Sequence, residues 1–317
     1  MKQIMILLLF IICFPKVTVA QDTYFSQFYS ASSYLNPALT GIEEESKLTF
    51  NYRNQWPELE SAFITYNTAF ETQLTAINSG LSINLFRDLA GDGMLTTTAL
   101  NTNYAYEVGL NKEIRLRMGV RVGIVQKNIN WSDLIFEDMI DSRKGVIYNT
   151  QQTFGEPVSF IDLSGGIFIY NENYYGGFAV DHLNEAADGF INQEGQSRLQ
   201  RKINIHGGAK FKNPNNSNRY ISPNFLISNQ GAFTKINVGI YFETSPLVFG
   251  VWYASDQSIV WMAGIHAKRF RVAYSYDLYT SKMIGKSIAS HEISYTQTFK
   301  KTGKKKKRYR TTLCPVF

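Results

Sequence analysis

A run of strict two-residue alternation near the middle of the chain limits what it can fold into. Apolar side chains occupy every second position, and charged residues or glycines fill the positions between them. The apolar residues are Ile114, Leu116, Met118, Val120, Val122 and Ile124. A period of two places successive side chains on opposite faces of a strand, and no helix has that period. The run therefore predicts a β-strand whose apolar face either packs on a soluble core or contacts lipid.

The first twenty residues are typical of an export signal. Lys2 supplies positive charge, residues 4–14 form an apolar stretch, and small residues lead to a cleavage site after Ala20. We therefore expect a signal peptide over residues 1–20 and a mature chain that begins at Gln21. The apolar stretch is shorter than the roughly twenty residues that a membrane-spanning helix requires.

The two cysteines restrict the covalent links that the chain can make. A lipid anchor at Cys13 is the less favoured alternative to a cleaved signal, because Ile11 and Ile12 precede it where a small residue is expected. After signal removal Cys314 is the only cysteine, so no intramolecular disulfide can form. Cys314 could pair with another chain, although we favour a buried or reduced thiol without a role.

No later segment of the chain is continuously apolar over the length that a membrane-spanning helix requires. The mean hydropathy of the whole chain, −0.19, suits a soluble protein, and it also suits a barrel, in which apolar and polar positions alternate. Aromatic residues make up 14% of the sequence, which favours strands and the aromatic girdles of a barrel. The mature length fits one large barrel or two soluble domains, and no linker divides it.

Period-two segments bounded by turn residues give about fourteen predicted strands. They cover residues 46–55, 61–73, 78–87, 94–109, 112–127, 158–171, 173–182, 201–212, 218–230, 233–243, 246–255, 257–267, 269–279 and 288–300. An even number is typical of bacterial single-chain barrels, whose two termini lie on the periplasmic side. The long connections also follow odd-numbered strands, whereas a soluble sandwich has no reason to sort its loops in this way. We therefore predict an all-β fold, a transmembrane antiparallel β-barrel with an N-terminal periplasmic or plug segment.

Positive charge is concentrated at the end of the chain. Of the formal net charge of +6, the signal carries +2 and residues 300–310 carry +8, which leaves −4 for the rest. The mature body is mildly acidic, so the sequence gives no support to nucleic-acid binding. The basic tail, residues 301–317, is expected on the periplasmic side. Its partner is either the phosphate headgroups of the inner leaflet or an acidic protein.

The segment between the signal and the first predicted strand, residues 21–45, is too aromatic for a disordered leader and too irregular for a strand. Two roles remain open. It plugs or lines the periplasmic mouth of the barrel of residues 46–300, or it presents exposed aromatic anchors to a periplasmic partner. The candidate partner-docking residues are Tyr24, Phe25, Phe28, Tyr29, Lys304, Lys305, Lys306 and Lys307.

The same segment carries a specific motif. It reads Gln-Asp-x-x-Phe-Ser-Gln-Phe-Tyr over residues 21–29 and Tyr-Leu-Asn-Pro-Ala-x-x-Gly over residues 34–41. This motif resembles the start of the PorP/SprF family, apart from Thr23, where a proline is expected. Further similarities cover residues 51–57, 181–184, 290–294 and 314–317.

The resemblance implies an outer-membrane barrel of the type IX secretion system. It implies association with periplasmic and outer-membrane components of that machinery. Some family members are paired with the export or display of a large secreted adhesin, including gliding adhesins, so the resemblance implies a role of this kind.

The sequence shows no arrangement typical of catalysis or of metal binding. The four histidines lie on different predicted strands or at their ends, without metal-ligand spacing: His182, His206, His266 and His291. We therefore expect no enzyme activity, no catalytic or metal site and no cofactor.

Two other readings of the chain stay open. One is an outer-membrane diffusion channel or hydrophobic-solute transporter, because a barrel of this size can enclose a passage. The other is a secreted soluble β-sandwich. Charged residues on the predicted lumen face, such as Arg117 and Glu292, are expected to solvate a water-filled or plugged interior. The loop over residues 128–157 either constricts the lumen or projects outward.

Overall fold

The computed structural model describes residues 22–59, 62–152, 154–190, 197–214, 216–280 and 289–300. The predicted signal peptide and the basic tail with Lys304–Lys307 and Cys314 lie outside the described residues.

Alternating sequence becomes strand almost everywhere that it was predicted. The strands of the described residues are β1 (Ser46–Gln55), β2 (Phe63–Leu74), β3 (Ser79–Ala90), β4 (Leu95–Gly109), β5 (Arg115–Ile129), β6 (Ile140–Asp141), β7 (Gly145–Val146), β8 (Val158–Tyr170), β9 (Tyr174–Asp181), β10 (Lys202–Ala209), β11 (Phe211–Asn213), β12 (Asn216–Gln230), β13 (Phe233–Thr244), β14 (Leu247–Ala254), β15 (Ser258–His266), β16 (Phe270–Tyr279) and β17 (Ala289–Phe299).

Fourteen of these strands form a closed antiparallel barrel. Each pairs with the next along the chain, β5 pairs with β8, β10 pairs with β12, and β17 returns to β1. The closing register joins Ser46 to Phe299 and Gln55 to Ser290. The barrel prediction and its strand number are confirmed. The predicted strand over residues 201–212 is divided, since β10 ends at Ala209 and the short β11 pairs separately with β12.

The two faces of the wall differ as the alternation predicts. On β5, Ile124 is 62% exposed and Met118, Val120 and Val122 are also exposed, whereas the intervening Arg117 is fully buried. Apolar side chains thus cover the outside, where lipid replaces water, and polar side chains face the lumen.

Helical structure is short. Helix α1 (Ser32–Leu35) precedes β1, and 3₁₀ turns cover Pro37–Leu39, Trp131–Asp133 and Glu137–Met139. Within the described ranges, no helix has the length and apolar character needed to cross a bilayer.

The three longest connections between barrel strands, over residues 130–157, 182–201 and 280–288, share one end of the barrel. We call it the long-loop end and the opposite one the short-turn end. The prediction that long connections follow odd-numbered strands holds for these three. It does not hold for every connection at this end, since residues 231–232 and 255–257 form tight turns there.

The largest loop, over residues 130–157, packs mainly on itself. It contains the β6–β7 hairpin, and the Trp131 indole donates to the Gly155 carbonyl oxygen at 2.8 Å and stacks on Phe154 at 5.8 Å. About half of the side-chain surface of Ile140 and of Val146 is exposed.

Candidate functional site

The segment before β1 crosses the lumen from end to end, and we call residues 22–45 the strap. The Asp22 backbone amide donates to Gln230 Oε1 at 2.9 Å, and Gln230 ends β12 at the long-loop end. Near the other end of the strap, Glu43 accepts a bond of 3.1 Å from Arg271, the second residue of β16, at the short-turn end. The strap therefore extends along the height of the barrel.

This path separates the two ends of the described chain. An even strand number places Ser46 and Phe299 together at the short-turn end. The strap then runs back through the lumen, so Asp22 lies at the long-loop end. The sequence predicted both ends of the mature chain on one side of the barrel. Asp22 lies instead at the end opposite Phe299. The prediction that the termini themselves are periplasmic concerns residues outside the described ranges.

A tight turn of the strap fits against the barrel wall. Its 3₁₀ turn (Pro37–Leu39) is capped by Asn36, whose side-chain oxygen accepts from the Ala38 amide at 2.9 Å. Asn36 Nδ2 also donates to the Ile167 carbonyl oxygen of β8 at 3.0 Å. Gly119 of β5 faces the turn, and a Cβ at this position would lie 2.3 Å from the Ala38 nitrogen. A residue without a side chain is needed for so close an approach.

A buried guanidinium joins the strap to both sides of the barrel closure. Arg53 of β1 lies 2.8 Å from Asp277 of β16 and 3.3 Å from Glu292 of β17, and it donates to Ser26 Oγ at 2.7 Å. Glu292 in turn accepts from the backbone amides of Ser26 at 2.7 Å and Gln27 at 3.1 Å. The three charged side chains are at most 1% exposed, so each depends on the others for compensation.

A second ionic cluster holds the strap at the short-turn end. Glu43 pairs with Lys47 at 3.0 Å and with Arg271 at 3.1 Å. Burial alone would raise the pKa of Glu43, but these two cations outweigh burial and lower the pKa to about 2. Glu71 of β2 lies 3.8 Å from Lys47 and accepts from the Gly41 amide at 3.1 Å. The strap is therefore fixed where it enters β1.

Arg117, in the middle of β5, binds both the strap and the wall. Its Nε donates to the Ala38 carbonyl oxygen at 2.9 Å, and its Nη1 donates to Glu107 of β4 at 2.9 Å. Tyr170 of β8 also donates to Glu107 at 2.9 Å. Arg117 thus points into the lumen, where it is paired and buried.

The aromatic residues of the strap are the anchors of its packing. Phe25, Phe28 and Tyr29 are buried. Phe28 makes an edge contact with Trp252 of β14 at 4.8 Å between ring centroids, and Tyr29 contacts Tyr175 of β9 at 5.9 Å. Phe28 and Tyr29 lie in an apolar cluster that contains residues of several barrel strands, whereas Phe25 lies in a second cluster with residues of β3, β4 and β5.

Tyr24 lies nearer the long-loop end. Its hydroxyl donates to Asp256 at 3.1 Å and lies 3.0 Å from the Tyr279 hydroxyl. The Lys235 ammonium lies 3.2 Å from the centre of its ring. Tyr24 therefore has polar and cationic partners inside the barrel.

These positions bear on the candidate docking residues. The structure brings Tyr24, Phe25, Phe28 and Tyr29 together on the strap, and it places them in the lumen rather than on an exposed surface. Docking through them would require the strap to leave the barrel, and it stays a prediction. Lys304–Lys307 lie outside the described residues.

Four asparagines form a ladder across the inner face of β1 to β4. Asn67 donates to Asn51 at 3.0 Å, Asn84 donates to Asn67, and Asn101 donates to Asn84 at 3.1 Å. Asn51 donates to Ser30 of the strap, so the ladder also reaches the strap. Each asparagine occupies a polar position of an alternating strand in the sequence. The hydrogen bonds between them depend on strand register, which cannot be read from the sequence.

At the long-loop end, a histidine holds the start of the strap between two carboxylates. His182 Nε2 lies 2.6 Å from Asp22, and His182 Nδ1 lies 2.8 Å from Asp162 of β8. Burial alone would lower the pKa of His182, but Asp22 and Asp162 outweigh burial and raise the pKa to about 10. Burial alone would raise the pKa of Asp22, but His182 and Lys202 hold it well below its usual range. We call these three residues the latch.

The latch is expected to stay ionised through neutral pH. The pKa of His182 is raised above its usual 6.5, so its stabilising effect is complete below about pH 6.5 and is lost as pH rises through about 10. Histidine NMR shifts of the detergent-solubilised protein should show an imidazolium that persists above pH 8, and His182→Gln should remove that signal. A His182 resonance that titrates near pH 6.5 would contradict the latch.

A cavity of about 480 Å³ opens beside the latch, between the strap and the wall formed by β1 to β5 and β8. Its walls include the rings of Tyr34 and Phe86, which stack at 5.2 Å, and the side chains of Ala99 and Val125. Asp88 of β3 also lines it. A pocket of this size and mixed character can hold a small ligand.

No chemistry beyond binding is evident in the described residues. Across the described ranges, no three side chains of His, Cys, Asp or Glu group as a metal site. His206 is the type of residue that a catalytic triad needs. It is buried, stacks on Phe168 and is hydrogen-bonded to Asn36. The expected absence of enzyme activity and cofactors remains a prediction.

The fold defines a class: an outer-membrane antiparallel β-barrel of fourteen strands, with residues 22–45 bonded to side chains of its inner face. Residues 17–296 match the family described as "Type IX secretion system membrane protein PorP/SprF". The chain therefore belongs to the PorP/SprF family. The resemblance of its N-terminal motif is confirmed.

Solved structures show the same architecture at low sequence identity. The toluene transporter TbuX of Ralstonia pickettii is 11% identical, with 86% of this chain and 94% of that chain covered and a TM-score of 0.52. The ΔS2 mutant of the TodX monoaromatic hydrocarbon channel is 10% identical, with 86% and 94% covered and a TM-score of 0.51. At these identities the likeness shows the fold alone. No curated protein matches the chain.

Proposed function

We propose that this barrel is a non-enzymatic component of the type IX secretion system that docks periplasmic machinery and supports export or surface attachment of cargo such as a large adhesin. The family match over residues 17–296 carries this proposal. The path that cargo could take is restricted, because the strap and its aromatic residues lie in the lumen. Cargo would therefore pass beside the barrel or be held on it, while the strap keeps the barrel closed.

The two ends of the barrel would then have different partners. We place the short-turn end in the periplasm, as in other outer-membrane barrels with short periplasmic turns. β17 ends there at Phe299, so the basic sequence with Lys304–Lys307 would continue into the periplasm. An acidic machinery protein or lipid phosphate would bind it. We assign the four aromatic residues of the strap to anchoring rather than to docking.

Site-specific photocrosslinking in intact cells tests this proposal. A photoreactive residue at Lys305 or Lys306 should capture periplasmic secretion components, whereas one at the lipid-facing Ile124 should not. Replacing Lys304–Lys307 with glutamine should lower both capture and cargo export without changing the amount of barrel. The proposal is wrong if the tail captures no protein and deletion of the whole barrel leaves secretion and adhesin display intact.

A hydrophobic-solute transporter is the second candidate, because the cavity at the long-loop end has an aromatic wall and the fold resembles that of toluene transporters. Partner-independent uptake of an apolar solute by vesicles that contain the pure protein would favour it. Unchanged uptake after removal of the secretion partners, together with normal secretion in the deletion strain, would select it over the first proposal.

A further inference from the structure

The cavity beside the latch has an apolar floor built by strand register. Phe86 of β3 pairs with Ala99 of β4, and Ala99 pairs with Val125 of β5, so the three side chains form one row across the inner wall. Tyr34 of the strap lies parallel to the Phe86 ring, with 9° between the planes. This surface suits an aliphatic or aromatic body.

The charged side chains around this surface are paired, with one exception. Arg121 is bonded to Asp181, and Lys127 lies 2.6 Å from Asp188. His182 is held between two carboxylates as described above. Because these cations already have carboxylate partners, they offer little to an anionic ligand.

Asp88 is the exception. It follows Phe86 by two residues on the same face of β3, one step nearer the long-loop end. Thr65 donates to Asp88 Oδ1 at 2.6 Å, Thr23 also bonds to this carboxylate, and no ion pair among the described residues includes it. The cavity thus presents one carboxylate without a cation above an apolar floor.

We propose that this cavity binds a small amphipathic amine. Its ammonium pairs with Asp88, and its apolar body lies on the row of Phe86, Ala99 and Val125. A charged hydrogen bond in a site partly removed from water is stronger than a neutral one, so the ammonium should be preferred over a hydroxyl of the same size. This binding involves no secretion partner and stands or falls independently of the secretion role.

Three probes that differ in one group test the proposal: 4-phenylbutylamine, 4-phenylbutanol and 4-phenylbutyrate. Their binding to the full-length protein in nanodiscs is measured by calorimetry and by the fluorescence of tryptophan, since Trp56 lines the cavity. We expect the amine to bind at least about tenfold more tightly than the alcohol, a difference of ~1.4 kcal/mol. The carboxylate should bind most weakly.

Variants test whether the preference for the amine arises at Asp88. Asp88→Asn should abolish the preference for the amine and leave the affinity for the alcohol unchanged, whereas Asp141→Asn in the exposed loop should change neither. Thr97 lies directly across from Asp88, so Thr97→Lys should supply a cation and exclude the amine even if Asp88→Asn does not fold. Equal affinity for amine and alcohol, no binding of any probe, or a preference that survives both cavity variants would overturn the proposal.

Discussion

Replacing Gly119 with valine is expected to open a conducting path through the barrel. A Cβ at this position would lie 2.3 Å from both the Ala38 nitrogen and the Pro37 carbonyl carbon, and backbone atoms cannot rotate away as a side chain can. Overpacking costs about 1–3 kcal/mol. At 1.4 kcal/mol per factor of ten, the population with a displaced strap should rise roughly five- to a hundredfold. Conductance in planar bilayers measures that population.

Gly165 provides the matched control on the neighbouring strand. A Cβ there meets only the Leu183 side chain at 3.6 Å and the Gly119 carbonyl oxygen at 3.9 Å, so Gly165→Val should leave conductance at the native level. Gly80 provides a second test position, since its Cβ would lie 2.0 Å from the Thr40 carbonyl oxygen. If Gly119→Val and Gly165→Val conduct alike, the strap does not seal the lumen.

The barrel could be predicted from the sequence because its signals are local. The alternation through Met118, Val120 and Val122 marks a lipid-facing stripe whatever the neighbouring strands are, and turn residues mark where each strand ends. One boundary differs around Lys210, which was predicted to lie inside one strand. There, β10 ends at Ala209, and the Lys210 amide donates to the Asn173 carbonyl oxygen.

The interior could not be predicted because its contacts join distant parts of the chain. Ser26 meets Glu292, and Asp22 meets His182, and no spacing in the sequence encodes either pair. The aromatic residues of the strap were predicted either to plug the barrel mouth or to dock a partner, because composition does not distinguish a lumen from a partner surface. Glycines could have given a hint, since Gly119 and Gly123 stand at lumen positions of an otherwise regular strand.

The cavity could not be predicted from the sequence for the same reason. Phe86 was on a predicted strand position, whereas Asp88 lay one residue beyond the predicted end at residue 87 and belongs to β3 in the structure. Their common face follows from alternation, but the aromatic cover by Tyr34 and the absence of a nearby cation depend on the strap. A one-residue change in register would have reversed the face, so only the folded barrel defines this site.

Replacing Arg53 with methionine should destabilise the barrel strongly. The substitution keeps an unbranched side chain, shorter than that of arginine, but removes the cation shared by Asp277 and Glu292, which lie 2.8 Å and 3.3 Å from the guanidinium. Leaving buried carboxylates without a partner costs about 3–5 kcal/mol. The free energy of unfolding in urea, followed by heat-modifiable gel mobility, measures the loss.

The exposed pair of Arg201 and Glu185, at 3.5 Å, is the control for this prediction, because its arginine side chain is 55% exposed. Arg201→Met should cost less than about 1 kcal/mol, since solvent already screens that pair. The double variant Arg53→Met with Asp277→Asn should recover part of the stability, because it removes one of the two carboxylates left without a cation. Equal losses for the two arginine variants, or no recovery in the double variant, would show that the lumen compensates the carboxylates without Arg53. The strap would then be held by packing and by its other ionic contacts rather than by this charge.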